Sequence, residues 1–301
     1  SRVRGEHGSE SVFAGSYGWS SAGRLHHAGT LVHRFYFSSG GCVDQVGNYS
    51  WGSAQVLLPH VIGSYAPLTG RLATWPEILA HAQVFVAFGG LALKNGQVSA
   101  GGPGEHTMEA WLRRLAASGV RVVSVSPTRD DCPAFLNAEW IPIRPNTDVA
   151  LMLALAHRVI DRDAHDKSFL ASCCVGFEAL AAYVLGSRDG TPKSADWAAG
   201  ITGVPAARIA ALADQLIGAR SYLTSTFSVQ RAQHGEQPYW MLIALSAILG
   251  QIGLPGGGFG FGHGSINGAG NPRPSTPAPT MPEGVNPVGR AIPVARIADM
   301  L

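Results

Sequence analysis

The chain has 301 residues, of which 46% are hydrophobic and only 14% are charged, with a formal net charge of +2. This length and composition indicate a globular chain with one or two domains. The basic residues are scattered, so the sequence gives no indication of nucleic acid or of an anionic membrane as a partner. Because charged side chains normally cover a free surface, their scarcity predicts that part of this surface contacts other protein.

Four cysteines are present, without a CxxC pair and without a spacing to histidine that is typical of zinc or iron–sulfur sites. We expect reduced, buried thiols, which favour a cytoplasmic location, with the periplasm as the alternative. No transmembrane span is predicted. The sequence lacks an initiating methionine and stops within the helix-like run RAIPVARIADML, so we expect an internal fragment of a longer polypeptide.

From residue 74 onward the sequence alternates between helical and strand patterns. A capping box, Thr74 to Glu77, opens a short helix. Strands are predicted at 84–88, 120–125 and 139–143, and helices at 105–119 and 147–160, the second capped by Asn146. This β-α-β-β-α order predicts a mostly parallel sheet whose ligand crevice lies at the carboxyl ends of the strands.

The loops after these strands, GGLALKNG, SPTRDD and RPNTD, carry groups suited to a nucleotide. Glycines let the backbone approach a ligand, Lys94 and Arg129 suit phosphates, and a helix that begins at Thr147 favours an anion. No G-x-G-x-x-G motif follows the first strand, which argues against the usual nicotinamide site. Each loop alone is compatible with a plain turn, and only the three together predict a nucleotide.

The later part of the chain predicts a helix at 205–218, a strand at 221–227 and a helix at about 236–250. The last helix is hydrophobic nearly all round, so we expect it to be buried. The glycines between 256 and 264 predict a loop whose backbone lies against something flat, and TPAPTMPEG predicts a proline-rich surface excursion.

The segment GNYSWGSAQ, residues 47–55, places Ser50 among aromatic residues and glycines. A hydrolase nucleophile elbow needs glycine two residues before and two residues after the serine. Gly52 fits this pattern, whereas Asn48 does not. A loop serine that bonds nearby backbone is the more common outcome, so the segment alone leaves both roles open.

Four segments together resemble the molybdopterin oxidoreductases of the dimethyl sulfoxide reductase family, and within it the biotin/methionine sulfoxide reductase branch. They are GSYGWSSAGRLHHA (15–28), GNYSWGSAQVLLPHVIG (47–63), IPIRPNTDVALMLALAH (141–157) and QRAQHGEQPYWMLIALSAILGQIGLPGGGFGFG (230–262). The resemblance covers nearly the whole chain and implies two α/β domains. A Rossmann-like domain with a mostly parallel sheet, 76–205, is inserted into a discontinuous α/β domain, 1–75 and 206–301, which carries the molybdenum-site motifs.

The resemblance implies a molybdenum ion held by the four dithiolene sulfurs of bis-molybdopterin guanine dinucleotide. Ser50 is the implied protein ligand to the metal, because a deprotonated hydroxyl is a hard donor for a hard metal. Tyr17 is expected to donate a hydrogen bond to the reacting oxygen, and Trp19 to close the pocket. The alternative for this aromatic pair is a packed core turn.

The guanosine and the pyrophosphate are expected to lie against the three crevice loops, and the segment after residue 229 is expected to lie near the pterins. The implied cofactor-binding residues are Trp19, Gly89, Lys94, Asn95, Pro127, Arg129, Thr147, Asp148, Gln230, Arg231, His234 and Gly235.

The implied reaction is oxygen-atom transfer, in which biotin or methionine sulfoxide is reduced to the sulfide with two electrons and two protons, and water is released. Dimethyl sulfoxide and trimethylamine N-oxide are alternative substrates, and Tyr17 favours S-oxides. The expected partners are the remaining domains of the parent chain and an electron donor, and the fragment alone is expected to be inactive. Two hypotheses of other classes are a non-catalytic nucleotide-binding domain and a serine hydrolase that uses Ser50.

Overall fold

The computed structural model describes residues 2–16, 18, 21, 25–68, 73–97, 99, 105–272 and 279–300. Its strands are β1 (Asp44–Val46), β2 (Val84–Phe88), β3 (Arg121–Val125), β4 (Glu139–Ile141), β5 (Ser221–Ser225), β6 (Gly258–Phe261) and β7 (Ala291–Pro293). Its α-helices are α1 (Arg2–His7), α2 (Ala28–Ser38), α3 (Gly52–Ile62), α4 (Trp75–His81), α5 (Met108–Ala117), α6 (Asp148–Asp161), α7 (Lys167–Cys173), α8 (Phe177–Val184), α9 (Ala195–Thr202), α10 (Ala206–Leu216) and α11 (Glu236–Ile248). None of these described helices is long and apolar enough to cross a membrane.

The chain divides into two compact units. Unit 1 comprises residues 1–52, 98–106 and 273–301, and unit 2 comprises residues 53–97 and 107–272. This division differs from the predicted one, which placed a boundary between residues 205 and 206. The predicted boundary does not separate two sheets, because β5 and β6 follow it and still hydrogen-bond into the sheet that contains β2 and β3.

Unit 2 is built on a five-stranded parallel sheet with the order β4-β3-β2-β5-β6. Val84 of β2 pairs with Arg121 of β3 on one side and with Ser221 of β5 on the other. Every residue of β2 and β5 is buried, as is usual for central strands of a parallel sheet that is covered on both faces. The mixed α/β fold with a mostly parallel sheet is therefore confirmed.

Strand β6 occupies a segment that was predicted to be a glycine-rich loop, so that prediction is wrong. Strands usually contain β-branched residues, whereas Gly258–Phe261 alternates glycine with phenylalanine. A Cβ atom at Gly260 would lie 2.1 Å from the hydroxyl of Tyr222 on the neighbouring strand. The glycine therefore allows β6 to pack beside the Tyr222 ring. The intrinsic strand propensity of glycine gives no indication of this contact.

A local sequence signal sets the start of α4, whereas α5 begins three residues later than predicted, at Met108. At α4 the predicted capping box is present, and the Thr74 amide donates to the Glu77 carboxylate at 3.0 Å. At α6 the N-cap is Thr147 and not the predicted Asn146, whose left-handed conformation (φ 64°) places it outside the helix. Helix α11 is buried as predicted along most of its length.

An aromatic cluster packs beside the sheet of unit 2. The His263 ring lies 5.0 Å from Trp75, 5.9 Å from Phe85 and 5.5 Å from Tyr222, measured between ring centroids. Burial lowers the pKa of His263 to about 3, so the ring is neutral, and its Nδ1 lies 2.9 Å from the Thr224 hydroxyl. This cluster fixes the end of β6 and the loop that follows it.

Unit 1 contains a two-stranded parallel sheet in which Asp44 of β1 pairs with Ala291 of β7. Among its described residues the buried apolar side chains are Ala14, Cys42 and Val43. Unit 1 therefore has little core of its own, and polar contacts hold much of its structure.

The four cysteines are free thiols, as predicted. Cys42 is buried, and burial raises its pKa. The predicted burial is wrong for the other three, since Cys132 and Cys174 are half-buried and Cys173, the last residue of α7, is exposed.

Candidate functional site

The carboxyl ends of the five parallel strands meet at one edge of the sheet in unit 2. The chain proceeds from β2 outward through β3 and β4, and then returns to the other side of β2 with β5. Such a reversal is a topological switch point, where open parallel sheets bind their ligands. The loops after β2 and β5 border this point, and the other carboxyl-end loops extend the same crevice.

Gly89 is the first residue after β2 and lies at the switch point. Its φ is +86°, and a Cβ atom would lie 2.1 Å from the hydroxyl oxygen of Thr226, the first residue after β5. A side chain at position 89 would therefore collide with the neighbouring loop. The predicted approach of bare backbone to a ligand is compatible with this geometry.

Lys94 and Asn95 lie in a 3₁₀ turn after β2, and the structure gives them different environments. The Lys94 side chain is 77% exposed, and its ammonium lies 3.9 Å from the Asp131 carboxylate in the loop after β3. The side-chain amide of Asn95 donates a hydrogen bond at 2.8 Å to the backbone carbonyl of Gly264, in the loop after β6. Lys94 is thus available to a phosphate, whereas Asn95 ties two crevice loops together.

Pro127 and Arg129 lie in the loop after β3, and both are exposed. Asp131 holds this loop in place. Its carboxylate accepts from the Ser126 hydroxyl at 2.6 Å, and its carbonyl accepts from the Leu91 amide at 2.7 Å. An exposed guanidinium on a loop held in this way is suited to bidentate contact with a phosphate.

Asp148 is the first residue of α6, at the crevice end of that helix. It is 6% exposed, and burial raises its pKa to about 6. The Thr147 hydroxyl donates to the Arg144 carbonyl at 2.7 Å, which fixes the turn before the helix. When ionised, the Asp148 carboxylate offers two acceptor oxygens, which suit a ligand edge with adjacent N–H donors such as that of guanine.

The segment between β5 and α11 supplies the four remaining predicted cofactor residues. Gln230 is buried, and its Oε1 accepts a hydrogen bond at 3.0 Å from the amide of Ala54 in the first turn of α3. Gly235 is also buried, whereas Arg231 and His234 are exposed. Gln230 therefore binds the start of α3, whereas the side chains of Arg231 and His234 are accessible at the crevice.

Ser50 lies in unit 1, in the turn between β1 and α3. The Asn48 side-chain oxygen accepts from the Trp51 amide at 2.9 Å, which fixes this turn. Ser50 precedes the first residue of α3 by two positions, and the positive end of a helix favours an anion such as a deprotonated hydroxyl. Ser50 is not among the described non-glycine residues with positive φ, so it lacks the strained backbone of a hydrolase elbow.

Tyr17 and Trp19 lie outside the described residues, and their roles stay predictions. Within the part of the chain that the structure describes, no group of three or more His, Cys, Asp or Glu side chains could hold a metal ion. A single protein ligand such as Ser50 is compatible with a metal that a cofactor holds.

The crevice residues that β5 and the loop after β6 supply were not predicted from the sequence. Thr226 is 4% exposed, and its hydroxyl lies 2.7 Å from that of Ser228. The Phe227 amide donates to the Ser265 hydroxyl at 2.8 Å, which joins the loops after β5 and β6. The sequence does not place these residues at the crevice, because the predicted domain boundary places this segment in a separate domain. The available signal was the hydroxyl-rich end of the strand SYLTS.

The sheet and its switch point define an α/β protein whose crevice suits a nucleotide-bearing ligand. The model of the molybdopterin oxidoreductase family matches residues 1–291, so the chain belongs to that family. Membership confirms the resemblance seen in the sequence and implies a molybdopterin cofactor that carries molybdenum.

Several curated relatives match over the whole chain. The chain is 48% identical to the biotin sulfoxide reductase of Cereibacter sphaeroides and 39% identical to the dimethyl sulfoxide/trimethylamine N-oxide reductase of the same organism. It spans 40% and 38% of their lengths, respectively. The acetylene hydratase from Pelobacter acetylenicus has a similar fold, with a TM-score of 0.55 and 20% identity, over 83% of this chain and 31% of that protein.

Proposed function

We propose that the parent protein reduces a sulfoxide to the sulfide by molybdenum-dependent oxygen-atom transfer. The observation that carries this proposal is the turn 48–51, which holds a partly exposed serine directly before a helix in a member of the molybdopterin oxidoreductase family. The 48% identity to a biotin sulfoxide reductase supports a sulfoxide as the substrate.

The cofactor form that we propose is bis-molybdopterin guanine dinucleotide. The buried Asp148 carboxyl suits the donor edge of guanine, and the exposed Lys94 and Arg129 suit its pyrophosphate. Gly89 keeps the loop at the switch point free of a side chain. When bound, the cofactor supplies the two-electron redox chemistry that removes the oxygen atom from the sulfoxide.

The protein contributes a ligand, positioning and hydrogen bonds. Ser50 would hold the metal through its deprotonated oxygen, with α3 favouring the negative charge. Tyr17 would donate a hydrogen bond to the sulfoxide oxygen, and Trp19 would close the pocket over the substrate. Gln230, Arg231, His234 and Gly235 would border the pterins.

Biotin or methionine sulfoxide is the proposed substrate, with dimethyl sulfoxide and trimethylamine N-oxide as the second candidates because of the 39% identity to a reductase named for both. The parent protein would need an electron donor, and we place it in the cytoplasm. The remaining part of the parent chain would complete the cofactor site, so residues 1–301 alone would be inactive.

The test is Ser50→Ala in the full-length parent protein, with Ser53→Ala as the matched control three residues along the chain. We expect Ser50→Ala to retain molybdenum but to lose sulfoxide reduction by ~100-fold or more, since even residues that only support a metal ligand cost 10–100-fold. Ser53→Ala should resemble the wild type. Wild-type turnover and unchanged metal spectra in Ser50→Ala would refute the ligand assignment.

Elemental analysis of the purified parent protein separates this proposal from the two other hypotheses. Stoichiometric molybdenum with pterin fluorescence after acid release is expected. Binding of guanine nucleotide without molybdenum would support a non-catalytic domain, and labelling of Ser50 by a fluorophosphonate would support a hydrolase.

A further inference from the structure

Two neighbouring side chains of the turn that carries Ser50 are exposed or only partly buried. The Tyr49 side chain, directly before Ser50, is 62% exposed, and Ser50 itself is partly exposed. A residue that binds a metal productively must be held within about 0.5 Å of its position. Contacts other than burial of these two side chains therefore contribute to fixing this turn, as the hydrogen bond from the Trp51 amide to the Asn48 side chain does.

A distant segment of unit 1, residues 286–294, runs alongside residues 42–49 and supplies further contacts of this kind. Asn286 bonds both backbone groups of Cys42, since its Oδ1 accepts from the amide at 3.3 Å and its Nδ2 donates to the carbonyl at 2.8 Å. Farther along, β1 pairs with β7 from Asp44 to Val46. The two segments are thus joined along their length up to the residue that begins the Ser50 loop.

The last contact in this series is made by Tyr49. Its hydroxyl donates a hydrogen bond at 2.9 Å to the carbonyl of Val294, the residue that follows β7. This contact lies just beyond the last paired residues of the two strands, Val46 and Pro293. Tyr49 therefore connects the turn itself, and not only the strand before it, to the 286–294 segment.

We propose that Tyr49 is a positioning residue for Ser50, and that its hydroxyl holds the serine in place by anchoring the turn to Val294. This inference rests on the proposed function. The exposure of the ring supports it, because a side chain that packed into a core would be buried. The net contribution of one such hydrogen bond to the free energy of unfolding is modest. Its main effect is therefore on the position of the neighbouring residue, Ser50.

The experiment uses the full-length parent protein with its cofactor and compares Tyr49→Phe with Tyr65→Phe. The control removes a hydroxyl from another exposed tyrosine ring, which lies in unit 2. The readouts are molybdenum content, the electron paramagnetic resonance spectrum of Mo(V), and kcat and KM for a sulfoxide. A merely structural change would lower the molybdenum content or the unfolding temperature without producing a new metal spectrum.

For Tyr49→Phe we expect full molybdenum content, a broadened or second Mo(V) signal and a fall in kcat of roughly 10-fold, as is usual when a support of a metal ligand is removed. KM should change less than kcat, and Tyr65→Phe should match the wild type. A wild-type spectrum and kcat in Tyr49→Phe, or a loss of molybdenum without a new signal, would overturn the inference.

Ser50→Ala, measured in the same series, separates failure of the inference from failure of the proposed function. If Ser50→Ala alters the Mo(V) signal and Tyr49→Phe does not, Ser50 is the ligand and the role of Tyr49 is wrong. If Ser50→Ala also leaves the signal unchanged, both the ligand assignment and the inference are wrong.

Discussion

Units 1 and 2 carry their predicted site residues on different kinds of structure. In unit 2 the crevice loops leave a parallel sheet whose central strands are completely buried. In unit 1 the turn of Ser50 follows a two-stranded sheet, and the buried apolar residues among those described are Ala14, Cys42 and Val43. The loops expected to hold the cofactor thus rest on packing, and the expected metal ligand rests on hydrogen bonds and ion pairs.

His33 illustrates the second kind of support. Its ring nitrogens lie 3.1 Å from the Asp44 carboxylate and 2.9 Å from that of Glu283, so one imidazole links α2 to β1 and to a segment 250 residues away. Such contacts depend on the charge state of the partners and on ionic strength, whereas burial of apolar strands is non-directional and follows the apolar area removed from water. We therefore expect substitutions to affect unit 2 mainly through side-chain volume and unit 1 mainly through charge and hydrogen bonding.

The largest effect on stability is expected from an added side chain at Gly89 in unit 2. Gly89→Ala should cost about 1–2 kcal/mol for a side chain in the left-handed region and about 1–3 kcal/mol more for the collision with Thr226. The matched control is Gly119→Ala, because Gly119 has a similar φ of +81° and a Cβ atom there meets nothing within 4 Å. Urea unfolding and the affinity for guanosine diphosphate, measured on the cofactor-free parent protein, provide the readouts.

Only Gly89→Ala should weaken the nucleotide affinity. Equal losses of stability in both variants would show that the collision at the switch point is absent.

The next effect concerns the buried charge of Asp148. Its pKa is raised by burial to about 6, above the unfolded value of about 3.9, so the folded state binds the extra proton. The stability that this proton provides is fully present below about pH 4 and is lost as the pH rises through about 6. Asp148→Asn should therefore increase the free energy of unfolding of the cofactor-free protein at pH 7.5 by on the order of 2 kcal/mol.

The same substitution should weaken binding of guanosine diphosphate, because an amide offers one acceptor where the carboxylate offers two. Unfolding as a function of pH and a nucleotide titration measure the two changes. Asp196→Asn is the control, since Asp196 occupies the first turn of α9 and is exposed. An unchanged pH profile in Asp148→Asn would show that this carboxyl is not buried in the parent protein.

The smallest effect on stability is expected from removal of the Glu283 charge in unit 1. Burial raises the pKa of the Glu283 carboxyl, but hydrogen bonds from His33 and Thr30 outweigh burial and hold the pKa below its usual range. The stability from this lowered pKa is present above the unfolded value of about 4.3 and is lost as the pH falls through the folded pKa. Since the Glu283 side chain is 40% exposed, Glu283→Gln should cost about 0.5 kcal/mol or less.

The effect of Glu283→Gln should be local. Hydrogen exchange should accelerate in residues 42–46 and stay unchanged in β2 and β5. Glu109→Gln, which removes an exposed ion pair with Arg113 in unit 2, is the control. Faster exchange throughout both units would contradict the idea that unit 1 depends on its own polar contacts.

The low charge content predicted that part of the surface contacts other protein. Large apolar side chains are exposed in both units, among them Phe35 in unit 1 and Val175 in unit 2. The chain spans 40% of the length of the biotin sulfoxide reductase that it matches. That the rest of the parent chain covers these exposed apolar side chains stays a prediction.

The sequence by itself determined the elements whose signals are local. Strand β2, the capping box at α4 and the buried helix α11 follow from periodicity and capping, because neighbouring residues alone decide them. The family and Ser50 as a candidate ligand also came from the sequence, since they rest on motifs of adjacent residues.

Only the tertiary structure decided that β5 and β6 complete the sheet of β2. Strand pairing joins residues more than a hundred positions apart, and local propensity carries no information about the partner. The same reason explains Gly260, which reads as a loop residue until the Tyr222 hydroxyl occupies the space where its side chain would be. It also explains the link between Tyr49 and Val294, because a hydrogen bond across 245 residues leaves no pattern in either segment.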